Sequence, residues 1–388
     1  MKSKLVLATA VLSTMSFLTN CKKVEKSVEP QSSIQQNENG KIELFPNAKV
    51  VSENDSKLLT SVQENKLVFN GNSEFLNSMK VGDILIASVS EIAPDGYLRV
   101  VNSIEKSGGS YTFITSNSSL EKAVKNGNIH VEFPVMFNAN EGIDNGKTTG
   151  YSGTTSKTIP LNRVLYDKDG NQSTDYDQVS TQGSLVLSAY MSVDMNFSWG
   201  SLTYFDAKTT FGASNSQTLT IGGTFSLPQK TVKIYNNSTI PSVNFVVGGV
   251  PVNIKPVVDV YVDYGGSITA QAKFGYKGNT TISPEVKYQS GAWTTVAPRS
   301  LSLVGYKPNV NLNANFNASI RPRITFSLYG CQSCASAYLE ASVYGKLACS
   351  LFPNVSKNIV AGFSVSAGAN LFGYHKDYPV FLNYQWNL

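Results

Sequence analysis

Between Asn309 and Tyr329 the side chains alternate in polarity without a slip. Val310, Leu312, Ala314, Phe316, Ala318, Ile320, Pro322, Ile324, Phe326 and Leu328 fall on one face. Asn311, Asn313, Asn315, Asn317, Ser319, Arg321, Arg323, Thr325 and Ser327 fall on the other. A period of two sends successive side chains to opposite sides of an extended chain, so the stretch predicts β-strand with one face buried and one wet. At roughly 3.3 Å per residue it would reach about 65 Å, far beyond an ordinary strand. One very long bent strand is predicted, or two that meet near Pro322. Pro322 brings no N–H to a ladder, so an edge, a bulge or a break is expected there.

The same rhythm runs through most of the chain from Ser184 onward. Leu185, Leu187, Ala189, Met191, Val193, Met195, Phe197 and Trp199 share a face, as do Leu219, Ile221, Phe225 and Leu227. Further faces are Val258 to Tyr264, Ile268 to Tyr276, Ala337 to Leu347 and Phe363 to Leu371. Turns are predicted at Tyr264-Gly265-Gly266, Lys277-Gly278-Asn279, Ser290-Gly291 and Pro353-Asn354. Sheets that are apolar on one side must close over something, and the simplest partner is a second sheet. The fold class is therefore mainly β, with an antiparallel β-sandwich over 184–388.

Upstream, residues 47–137 predict a small β-barrel-like domain with short helices. Lys80–Ala87 and Tyr97–Ile104 read as strands joined at Pro94-Asp95-Gly96, with a third at Ser110–Thr115. Asp55 is placed to cap a helix carrying Leu58, Leu59 and Val62. Ser118 and Glu121 have capping-box spacing, with Gly127 ending that helix. Val81-Gly-Asp83 followed by Gly96-Tyr-Leu-Arg-Val-Val101 resembles a module at the front of other secreted bacterial β proteins. Residues 138–183, rich in Gly, Thr, Asn and Asp, read as a polar linker.

Composition agrees with an exported β protein: 19 Tyr and 19 Phe, with abundant Gly, Ser, Thr and Asn. The 32 basic and 27 acidic residues leave a formal charge of +5, and +3 without Lys2 and Lys4. So small an excess argues against a nucleic-acid partner.

The N-terminus supplies an address. Lys2 and Lys4 precede an apolar run from Leu5 to Leu18, which is too short to span a bilayer as a stable helix and so reads as a signal peptide over 1–20. Leu18-Thr19-Asn20-Cys21 resembles the lipobox of bacterial lipoproteins. The resemblance implies acylation of Cys21 as the first mature residue and a partner in the membrane. Residues 21–46 have little apolar content and predict a flexible tether, of root-mean-square reach about 25 Å. Lys22 and the charges behind it resemble the sorting pattern of outer-membrane lipoproteins, including surface-exported ones.

Candidate chemistry is sparse. Asp167, Asp169, Asn171 and Asp175, with Asp177, crowd one loop whose oxygens could hold Ca²⁺, but the twelfth-position Glu and helical flanks of an EF-hand are absent. A solvated acidic loop is the better reading, and no other cofactor is expected. Gly142-Ile-Asp-Asn-Gly-Lys147-Thr148 is one residue short of a phosphate-binding loop and is followed by no helix former. Cys331 and Cys334 are expected to form a structural disulfide. Cys349, about 40 Å along an extended strand, would then stay buried outside the bridge, unless a bend lets it pair instead. The two histidines, His130 and His375, complete no triad or zinc site, and Asp259 and Asp263 read as isolated carboxylates beside Tyr261. No enzyme is expected. The function read here is a lipid-anchored binding or adhesion module for a glycan, a protein or the envelope. The alternatives are a carrier with a lipid in a hollow sheet and a membrane-spanning barrel.

Overall fold

Most of the alternation read in the long C-terminal region becomes strand, although Trp199 falls in a turn, and Ile221 and Phe225, like Ile268 and Ala272, belong to separate strands. The structure, a computed structural model, describes residues 41–139, 153–174, 176–269, 271–306, 313–350 and 356–387. Strand takes 70% and helix 4%, which makes the fold mainly β, built of several antiparallel sheets. The described residues fall in one compact unit.

A ten-stranded sheet is organised on two 21-residue strands, Gln178–Ser198 and Ser201–Ile221, paired along almost their whole length. Val124–Pro134 flanks them on one side and Ala272–Ile282 on the other. Within the stretch read as polar linker, Ser156–Pro160 and Arg163–Asp167 are short strands laid against Gln178–Ser198. A seven-stranded sheet runs through Phe225–Asn237, Val250–Ile268, Ala314–Leu328, Ala335–Ser350, Ser356–Leu371 and Tyr374–Asn387, with Val243–Val247 beside Val250–Ile268. Inward side chains of both sheets belong to one core: Leu187, Met191, Phe205 and Phe211 from the first, Val260, Phe316, Leu339 and Phe363 from the second. Ring pairs cross between them, Phe133 with Phe245 at 5.6 Å and Tyr288 with Tyr374 at 5.0 Å.

The third sheet has six strands, with Ala48–Val50 joined in parallel to Ile84–Ala87 and the remaining pairs antiparallel. Ile84–Ala87 is buried on both faces. Leu85 and Ala87 meet a core of Leu67, Phe69, Leu76 and Phe113, whereas Ile84 and Ile86 join the large core. The turn at Asp95-Gly96 is clamped to the seven-stranded sheet. Asp95 Oδ1 accepts from Ser242 Oγ at 2.6 Å and pairs with Lys255 Nζ at 3.2 Å, and Asn253 Nδ2 donates to the Ala87 carbonyl at 2.8 Å.

Several local expectations are corrected. The first helix is Glu53–Ser56, capped by Ser52 and not by Asp55, and the backbone is already a strand at Leu59. In Leu120–Ala123, Glu121 closes no capping box but accepts from Leu202 N at 2.8 Å; Gly127 lies inside the next strand. Gly265-Gly266 and Gly278 sit within strands: Gly266 and Gly278 are paired on both sides, and Gly265 pairs with Asn317 opposite a bulge between Leu227 and Lys230. At Gly266, φ is +125° and a Cβ would lie 2.0 Å from the Asn315 carbonyl oxygen. Glycine marks crowding there, not a turn. Ser290-Gly291 does join two paired strands, and Pro353-Asn354 lies outside the described residues.

Pro322 lies inside an interior strand. Its pairing with Val260 is unbroken, but the ladder to Ala335–Ser350 lapses at 321–322 and resumes in the same register at Arg323. The missing N–H is met by a gap in one ladder, with no edge needed.

Candidate binding face

The seven-stranded sheet is apolar inward and densely functionalised outward. Register alone lines up three rows across its outer face. Asn236, Asp259, Arg323, Glu340 and Ser366 form one; Lys233, Tyr261 and Arg321 the next; Thr231, Asp263, Ser319 and Tyr344 the third. Cross-strand neighbours on one face lie within reach of each other's side chains, so opposite charges in register pair.

Glu340, whose side chain is only 6% exposed, accepts from Arg321 NH1 at 2.9 Å, Arg323 Nε at 2.8 Å and Ser366 Oγ at 3.1 Å. Asp263 accepts from Arg321 Nε at 2.5 Å, Thr231 Oγ1 at 2.6 Å and Ser319 Oγ at 2.7 Å. Asp259 accepts from Asn236 Nδ2 at 2.7 Å and pairs with Lys233 at 2.9 Å. The ring of Tyr261 is faced by three cations, Lys233 and Arg321 at 5.3 Å and Arg323 at 5.7 Å, and Arg323 also lies 4.6 Å from the ring of Tyr338. The Tyr338 hydroxyl donates to Asp377. Gly368 leaves room for that ring, since a Cβ there would fall 2.5 Å from its edge.

Burial would raise the Asp263 carboxyl, but hydrogen bonds from Arg321, Thr231 and Ser319 outweigh it and hold the group below its ordinary range. Burial likewise pulls the Arg321 guanidinium down, and Asp263 and Glu340 more than reverse it. Burial first, then the bond to Asp377, pushes the Tyr338 hydroxyl upward. These groups are locked in one charge state and one geometry. Such a face can recognise a polar ligand by hydrogen bonds and ring contact, and its ordering cost is met in folding.

Asp259 and Asp263, read from sequence as isolated, are thus members of a network. Alternation placed them on the wet face; the side-chain partners of Asp259 lie on the preceding strand, those of Asp263 on the preceding strand and on one about 60 residues downstream, and only register brings them together.

The other candidates fall elsewhere. Cys21 and Asp175 lie outside the described residues. Cys331 and Cys334 are joined, with Cα atoms 5.3 Å apart. Ala335–Ser350 runs unbroken and puts Cys349 near its far end, buried. Carboxylate oxygens of Asp167, Asp169 and Asp177 lie within 4.8 Å of one another. They already serve the loop: Asp167 accepts from Gly170 N, Asp169 from Asn171 N and Asp177 from Asp169 N, while Asn171 Oδ1 accepts from Ser173 N. His130 contacts Asp194 and lies 3.8 Å from Glu132 on the outer face of the ten-stranded sheet. Among the described residues no helix is long and apolar enough to cross a membrane. Comparison with known proteins finds no matching family model, no matching curated protein and no matching solved structure.

Proposed function

We propose that this chain is a lipid-anchored, extracytoplasmic binding module without enzymatic activity. In this reading acylated Cys21 holds it in the outer membrane, the tether ends before the strand Ile42–Leu44, short of the expected residue 46, the six-stranded sheet curls into a partly open barrel, and the two large sheets pack as a sandwich. The observation that carries it is the rigid network of Asp259, Tyr261, Asp263, Arg321, Arg323, Tyr338 and Glu340 on the outer face of the seven-stranded sheet. A general acid needs a carboxyl raised towards neutrality, and Asp263 is moved the other way.

The core speaks for a binding module over a carrier. Side chains lining a lipid-sized hollow would keep accessible surface, whereas Phe205 and Phe363 keep none and Phe316 keeps 1%. A membrane barrel would turn the same apolar faces outward to lipid, and here they face one another.

The test is co-sedimentation of the purified protein with insoluble polysaccharides and with isolated cell envelopes, beside an Arg323→Ala/Tyr338→Ala double variant. Binding by the wild type to one of these, lost in the variant while the melting temperature stays within a few degrees, is expected. Binding that the variant retains would move the site elsewhere. A lipid retained in native mass spectra after mild extraction would restore the carrier.

A further inference from the structure

The two longest strands are joined by a turn of two residues, Trp199 and Gly200, with φ of 50° and 77°. Positive φ at both central positions is the geometry that Asn-Gly fills best and that a bulky side chain fills at a cost. Ser290, Tyr329 and Phe372 are the other non-glycine residues with positive φ among those described. Tyr329 is buried and Phe372 packs on the core, so those rings contribute to stability. Trp199 does not: it is 75% exposed, more than any other large apolar side chain described. The turn's backbone is nevertheless seated firmly. Trp199 N donates to Asn126 Oδ1 at 3.0 Å, Gly200 N to the Lys125 carbonyl at 2.8 Å, and a Cβ on Gly200 would meet the Glu121 carbonyl at 2.9 Å. A fixed turn thus projects one indole, with Lys125 Nζ 4.9 Å from its ring.

The chain enters the described structure at this same place. Ile42–Leu44 pairs with Val124–Pro134, Glu43 binds Lys125, and Lys41, Glu43, Asn126 and Gly248 line one open cleft. Gly248 follows a strand that carries Val246, another exposed apolar residue, at 41%. We propose that this tip is the protein's contact with the bilayer, with the Trp199 ring seated at headgroup depth and the Lys125 ammonium beside it. The inference rests on the lipid-anchored reading, in which a tether of root-mean-square span about 25 Å holds Lys41 near the bilayer. Indole rings, and lysines that reach past an apolar stem, are the side chains that favour the membrane–water boundary.

The test uses the full chain, expressed with radiolabelled palmitate and reconstituted into phosphatidylcholine vesicles whose acyl chains are brominated near the headgroup. Wild-type tryptophan emission is expected to shift to the blue and to lose a component to bromine quenching. That component should be absent in Trp199→Phe and in Trp199→Asn, whose side chain suits the turn and so keeps the fold. Labelled, vesicle-bound protein with equal quenching in wild type and variants would overturn the proposal and leave the anchor standing. Unlabelled protein that stays in the supernatant would overturn both.

Discussion

Glu340 holds two arginines on neighbouring positions of one strand while keeping almost no exposure of its own. Removing it strands positive charge on a half-buried face. Glu340→Ala is expected to cost about 3 kcal/mol, the lower end for a broken buried pair because both guanidiniums remain partly exposed, read as a fall in the urea midpoint. Asp263 carries a pH signature. Its folded pKa lies below the unfolded value of about 3.9, so its contribution is complete above that value and is lost as pH falls through the lower folded value. The stability gap between wild type and Asp263→Asn should therefore be constant from neutral pH to about 5 and close only in more acid solution. A gap that closed near neutrality would refute the pairing. Little of this was legible beforehand: the polarity of each position could be read, but an ion pair needs two positions, and nothing local says which carboxylate meets which guanidinium.

Among the elements, strands were legible and their interruptions were not. Alternation over Leu185–Phe197 and Val258–Tyr264 named the inward side chains, which the structure buries, because period two is a property of the extended backbone itself. Gly265-Gly266 misled, whereas at Pro322 the expected interruption is present as a gap in one ladder. Paired glycines break an isolated chain, yet here flanking strands supply the hydrogen bonds that keep the backbone extended. Gly266→Ala is expected to destabilise by several kcal/mol through the clash with Asn315, far above the ordinary Gly-to-Ala effect, and to show as a loss of soluble yield or a clear drop in melting temperature. A neutral outcome would mean the two strands part there. The short helices were misplaced by a residue or more because Asp55 and Glu121 are claimed by other contacts, Ser52 and Leu202.

At the scale of the whole molecule, one core joins the two large sheets and takes in one face of the third. Phe316, 1% exposed at the centre of the seven-stranded sheet, reports on that union. Phe316→Ala is expected to cost about 3–5 kcal/mol and to lower a single calorimetric transition as a whole. Two separating transitions would show that the six-stranded sheet melts alone. Burial of Ile84 and Ile86 in the large core, and the grip of Asn253, Lys255 and Ser242 on the 87–96 segment, are the reasons for expecting one.

The amino-acid order by itself determined the period of two, hence a mainly β protein with inward and outward faces named residue by residue, because side-chain direction along a strand is local geometry. It also carried the lipobox resemblance at Cys21, which is a matter of contiguous residues. Only the tertiary structure decided which strands are neighbours and in what register. That choice depends on contacts between residues far apart in the chain, and it alone turns scattered carboxylates, arginines and tyrosines into one face and leaves Trp199 at the tip where the chain enters.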